Sequence, residues 1–139
     1  MQGEKIPIFL IFQSYISLHS YGQKILYPWS YTSAPIDDWK ELQEMGEIMA
    51  QEMNRSNGLD FTVGQGARSQ YQTIGGSDDW ARGEMGIKWV FLLELPPGQR
   101  KKQKELGFLL PASHIKPAAE SIFRGIRALG FEVSHKITP

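Results

Sequence analysis

Along the chain, apolar residues gather in two kinds of stretch, unbroken runs and spaced stripes, and each kind predicts a different element. Residues Ile6 to Leu18 are almost continuously apolar, with Gln13, Ser14 and Ser17 as the clear interruptions. A run so rich in Ile and Phe predicts a strand covered on both faces. Ile87 to Leu95, IKWVFLLEL, is a second such run. Between them Trp39, Leu42, Gly46, Met49 and Met53 recur at steps of three and four, the spacing of one buried helix face. Asp37 and Asp38 suit the positive start of that helix, and Asn57-Gly58 supplies a stop. Asp60 to Val63 reads as a short strand, and Gly64-Gln65-Gly66 as a flexible turn. Ser77 suits an N-cap, with Asp78 and Asp79 beside the helix dipole. Ile115, Ala119, Ile122, Ile126 and Leu129 line one face of a last helix, opened by Pro117, closed by Gly130 and laid over the sheet. Strands and helices in this mixture predict an α/β fold with a mixed sheet and helices packed on it.

Composition narrows the classes. A chain of 139 residues is one domain's worth, and 41% hydrophobic with 22% charged residues is ordinary for a globular protein. Fifteen basic and fifteen acidic residues cancel, so nothing global points to nucleic acid or an anionic membrane as partner. The absence of cysteine rules out disulfides and thiolate metal sites. No apolar run approaches the roughly 20 residues of a membrane-spanning helix. The start, MQGEKIPIFLIFQS, has a basic residue and a short apolar run but no small-residue cleavage site, so it reads as strand and not as a secretory leader.

Three side chains invite chemistry. Glu94 is a carboxylate set among Phe91, Leu92, Leu93 and Leu95. Desolvation disfavours the charged form of a carboxylate so placed, a property wanted of a general acid–base group; the alternative is that Glu94 lies at a solvent-exposed strand end. His19 falls at the C-terminal end of the first apolar run, where α/β sheets often carry functional groups; the alternative is a hydrogen-bonded structural histidine. Tyr71 reads as a half-buried loop tyrosine.

A dispersed set of residues carries a more specific signal. It comprises His19-Ser20-Tyr21-Gly22-Gln23, Leu26-Tyr27-Pro28, Tyr71-Gln72, Gly75-Gly76-Ser77, Asp79-Trp80, Gly86-Ile87-Lys88, Phe91 with Glu94-Leu95, and Gly107 through Ser113, GFLLPAS. In order and spacing, apart from a small insertion before Gly86 and a longer loop after Glu94, this set resembles the zinc metallocarboxypeptidases of the pancreatic A/B type. The resemblance implies an α/β/α fold and hydrolysis of the C-terminal residue of peptides or proteins with free C-termini. It further implies zinc as cofactor, His19 as a zinc ligand and Glu94 as the group that moves a proton from zinc-bound water to the leaving amine. Ser20 and Tyr21 then border the substrate cleft, and a cis peptide falls in the His-Ser-Tyr segment. Tyr71 becomes the mobile tyrosine that closes over substrate. Asp78 lies at the floor of the pocket for the C-terminal side chain, where a carboxylate gives a B-like preference for Lys or Arg. Members of the family are secreted, which makes the extracellular space the expected location.

The chain also departs from that pattern. Pro96-Pro97 stands where an arginine–aspartate pair is usual, and the loop beyond carries Arg100, Lys101, Lys102 and Lys104, read as a solvated basic loop. A catalytic zinc takes three protein ligands. The family draws two of them from an HxxE motif upstream, whereas His19, His114 and His135 are the chain's three histidines and none begins HxxE or HExxH. From Tyr15 onward the resemblance therefore covers the C-terminal part of a catalytic domain, with residues 1–139 as that part. Such a chain is expected to be inactive alone; the alternatives are a non-catalytic remnant that binds basic C-terminal tails, or an unrelated binding domain. Ile8 to Gln13 also fit a translated intron end, an expectation that transcript sequencing tests. Without upstream strands, an apolar edge near Ile6 to Leu18 invites aggregation or pairing.

Overall fold

The computed structural model describes residues 12–57, 59–98 and 105–137. In chain order the elements are β1 (Ser14–Ser20), β2 (Lys24–Tyr27), α1 (Trp39–Asn57), β3 (Thr62–Gln65), the single turn α2 (Gly66–Ser69), α3 (Ser77–Gly83) and β4 (Trp89–Leu95). A 3₁₀ turn, Ala112–His114, then leads into α4 (Ile115–Ile137). The strands form one sheet in the order β1-β4-β2-β3. β1 runs parallel to β4, β4 antiparallel to β2, and β2 parallel to β3, so the sheet is mixed as expected.

The two-residue strand period sorts side chains to the two faces. Trp89, Phe91 and Leu93 of β4, with Ile25 and Tyr27 of β2, enter the main core beside Leu42, Met45, Met49 and Met53 of α1 and Ile122, Leu129 and Val133 of α4. Val90 turns the other way, into a smaller cluster with Ala81 of α3 and Ile87, flanked by Tyr15 and Met85. Leu92 and Glu94 share the face of Val90 and line a cavity there. One face of β4 is thus spent on the core, and the other presents the site.

Several expectations change. The apolar run near the start was expected to be covered on both faces, but its described part, β1, is the sheet's edge strand and largely exposed. Among the described residues no strand pairs with its outer side, so its apolar character is not matched by burial. The α1 stripe begins at Leu42 and includes Met45, while Trp39 is exposed. Trp39 is the first residue of the helix, and buried Ile36, just before it, takes the core position at that end. Gly64 and Gln65 complete β3 instead of forming a flexible turn; Gln65 is buried, and its Nε2 donates to the carbonyls of Thr32 at 3.0 Å and Ala34 at 2.7 Å. Ser77 is the first residue of α3, whose N-cap is Gly76 without a side-chain cap. Gly130 does not end α4, because Val133, a turn further on, is held in the core. At the other end of α4, Ile115 and Ala119 are exposed. α4 packs chiefly on α1 and less on the sheet than expected. Gly58 and the basic cluster Arg100, Lys101, Lys102 and Lys104 lie outside the described residues.

Candidate active site

β4 delivers Glu94 to its C-terminal end, in register with His19 of β1 and Lys24 of β2. Parallel partners in register point to one face, which sets His19 beside Glu94. The other wall is the stretch from α2 to the start of α3. The cavity between them, about 400 Å³, is lined by His19, Gln70, Tyr71, Gly76, Asp78 and Glu94 among others. Four of the six side chains singled out from the sequence therefore meet in one place.

Glu94 is 6% exposed, which excludes the solvent-exposed strand end. Its Oε1 accepts a hydrogen bond from Gln70 Nε2 at 3.2 Å, while Oε2 is buried without a hydrogen-bond partner. Asp78 is 1% exposed. Its Oδ2 accepts from Ser30 Oγ at 2.8 Å, and its Oδ1 is buried and unpartnered. A Cβ at Gly76 would lie 2.4 Å from that oxygen, so any larger residue here would collide with the carboxylate. Gly75, at φ +81°, supplies the left-handed turn that carries the chain past the pocket.

Asp79 holds the opposite wall. Its two oxygens accept the backbone N–H groups of Ser30 and Tyr31, each at 2.8 Å. Burial pushes its carboxyl above the ordinary value, the two N–H bonds pull it back, and the neighbouring charge of Asp78 adds to the rise. Tyr71 stands at the cavity mouth, 63% exposed. Ser30 and Gln70 escaped the sequence reading, since each is an ordinary polar residue in a connecting segment and only the fold brings it to a carboxylate.

Ser20 and Tyr21 lie apart from this cavity. Ser20 borders a separate apolar groove of about 510 Å³ with Leu18, Leu95, Phe108, Ile122 and Phe123. The Tyr21 ring meets Phe108 edge-on, with centroids 5.0 Å apart. The Ser20–Tyr21 peptide is cis, as the resemblance implies; Pro28–Trp29 and Pro96–Pro97 are also cis.

The histidines test the fit for zinc. His114 lines the apolar groove, and His135 Nδ1 lies 2.8 Å from the Phe131 carbonyl oxygen within α4. No group of three or more His, Cys, Asp or Glu suited to a metal gathers among the described residues. A catalytic zinc takes three protein ligands. His19 with the residues described around it does not fit that requirement.

Comparison with known proteins gives the arrangement a context. A family model described as zinc carboxypeptidase matches residues 11–125. Carboxypeptidase B of Astacus astacus is 35% identical over 115 residues, covering 83% of this chain and 36% of the relative. Carboxypeptidase A2 of Mus musculus is 38% identical over 117 residues, covering 84% of this chain and 27% of the relative. Among solved structures, bovine thrombin-activatable fibrinolysis inhibitor in complex with tick carboxypeptidase inhibitor superposes with a TM-score of 0.82 at 33% identity. That match covers 90% of this chain and 40% of the other. The chain spans 36% or less of the length of these two curated relatives.

Proposed function

The chain belongs to the zinc carboxypeptidase family, and from that premise we propose that it forms the C-terminal portion of a metallocarboxypeptidase catalytic domain. Residues 1–139 carry the pocket for a C-terminal Lys or Arg side chain. By itself the chain binds peptides and proteins ending in those residues without hydrolysing them. The observation that carries this reading is the unpartnered Oδ1 of Asp78 at the cavity floor. A buried carboxylate oxygen without a hydrogen bond costs the fold about 1–3 kcal/mol or more. A guanidinium or ammonium seated in the pocket supplies the missing donor and a countercharge. A leucine side chain supplies neither and would face an unmatched charge.

The remaining residues take roles around that pocket. Tyr71 stands at the mouth to close over a bound tail. Ser20 and Tyr21 are assigned to the rest of the substrate's length instead of its last side chain. Glu94 is assigned proton transfer, and His19 a zinc-ligand position, in a completed family site. Zinc would supply Lewis-acid chemistry there, but the described residues around His19 do not complete a ligand set to hold it, and no hydrolytic step is assigned to these residues alone. The extracellular assignment of the whole protein rests on its family; no described helix is long and apolar enough to cross a membrane.

The test pairs metal analysis with binding. The purified chain is expected to hold no stoichiometric zinc and not to turn over a peptide ending in Arg. Calorimetry should show that peptide binding at least about tenfold more tightly than its Leu-ended counterpart, with Asp78→Asn removing the difference, since a charged hydrogen bond is worth about 1.5–3 kcal/mol. Stoichiometric zinc with turnover would sink the non-catalytic reading. Equal affinity for both peptides would sink the basic preference.

A further inference from the structure

Among the described residues Glu94 Oε1 has one hydrogen-bond partner, and that partner belongs to the segment forming the cavity's opposite wall. The Gln70 amide reaches 3.2 Å to the carboxylate across 24 residues of chain. The adjacent residue is tied to the sheet as well: Lys24, in register with Glu94, donates from Nζ to the Ser69 carbonyl at 2.8 Å. The Gln70 backbone N–H donates to the Gly66 carbonyl at 3.0 Å, closing α2. From Gln70 the chain runs directly into residues 71–75, all exposed, with Ile74 at 95%. Beyond the root of this loop, the Thr73 N–H donates to the Ser30 carbonyl at 2.9 Å.

We propose that Gln70 is a positioning residue that fixes the Glu94 carboxylate and, through the same bond, latches the Tyr71-bearing loop to β4. The inference deepens the functional reading above and rests on it for the roles of Glu94 and Tyr71; the bond itself does not depend on it. Oε1 is occupied by the amide, which leaves Oε2 as the free buried oxygen. A carboxylate pinned at one oxygen has its rotation about the last side-chain bond restricted. The proton-accepting atom then points one way, and geometry of that kind is what positioned acid–base groups require. Because Gln70 and Tyr71 are consecutive, a tail that draws Tyr71 inward pulls on the same segment that holds Glu94. Side-chain pocket and acid–base end are thereby mechanically joined.

Hydrogen exchange on the whole 139-residue chain tests the latch without any ligand. Gln70→Leu keeps the bulk of the side chain and removes the donor. Exchange in residues 70–76 is expected to rise about tenfold, a loss of roughly one hydrogen bond, while exchange in α1 stays as in wild type. Gln70→Asn, one methylene too short to reach, should give the same local change and serves where the leucine variant folds poorly. Glu94→Ala should loosen the same segment, and the double variant Gln70→Leu/Glu94→Ala should loosen it no further than either alone. Unchanged exchange in both Gln70 variants, or additive effects in the double variant, overturns the proposal. This outcome is separable from the functional reading. A wild-type chain that fails to bind an Arg-ended peptide sinks that reading and leaves the exchange result standing.

Discussion

Asp78 and Glu94 line one cavity and Asp79 follows Asp78 in the chain, and the three acids are satisfied differently. Asp79 has both oxygens occupied by N–H groups, whereas Asp78 and Glu94 each keep one oxygen free. Asp79 yields a pH prediction. Its carboxyl stands above the ordinary 3.8 in the folded chain, chiefly through burial. The native state therefore holds this proton more firmly than the unfolded chain does. The stability it contributes is fullest below the ordinary value and falls as pH rises through the raised folded value. Urea midpoints of wild type and Asp79→Asn, followed from about pH 3 to 6, should show wild type losing stability relative to the variant as pH rises. A relative gain with pH would contradict the assignment. Glu94 was legible in the sequence as a carboxylate in an apolar run, whereas Asp78 reads locally as a helix-start acid and stood out only through the family resemblance. Their partners were not legible. Ser30 lies 48 residues from Asp78 and Gln70 lies 24 from Glu94, and no local pattern encodes such pairings.

Helix packing separates two glycines of α4, Gly125 and the Gly130 that the sequence offers as its end. Gly125 lies where α4 crosses α1, and a Cβ there would come within 2.2 Å of Met53 Cε and 3.2 Å of the Met49 carbonyl oxygen. Gly130, in the same helix, has nothing within 4 Å of such a Cβ. Alanine in a helix interior is worth about 0.5–1 kcal/mol over glycine. Gly130→Ala should therefore raise stability by about that amount. Gly125→Ala should lower it by about 1–3 kcal/mol, because overpacking against a backbone oxygen outweighs the propensity gain. Urea denaturation of the two variants checks both signs, and a stabilised Gly125→Ala would mean that the helices part at little cost. The three-and-four stripe identified the buried faces of α1 and α4, since periodicity reports which side is apolar. It misplaced their ends at Trp39 and Gly130, since an end depends on which neighbours extend beyond it. Ile36 and Val133 decide those ends, and both act through tertiary contact.

The sheet as a whole leaves β1 at its edge, and this is where the sequence reading erred most about burial. An unbroken apolar run states that a strand is fit for cover on both faces; it cannot state whether the cover exists. In the structure Leu18 is 55% exposed, and beside it Phe108, Ile115 and Phe123 are exposed along the groove under α4. A strand edge that no described strand pairs, adjoining an apolar groove, is a site for association between chains. The formal net charge of +0 at pH 7 gives no long-range repulsion to oppose it. The chain is therefore expected to self-associate with rising concentration, and sedimentation velocity over about a hundredfold range should show the mean sedimentation coefficient climbing. Because the contact is apolar, added salt should not dissociate it, since screening acts on charges and leaves hydrophobic burial in place. Leu18→Lys places a charge on the edge itself, and Phe123→Glu places one in the groove; either should hold the chain monomeric over the same range. A wild-type chain that stays monomeric throughout would refute this expectation of edge-driven association.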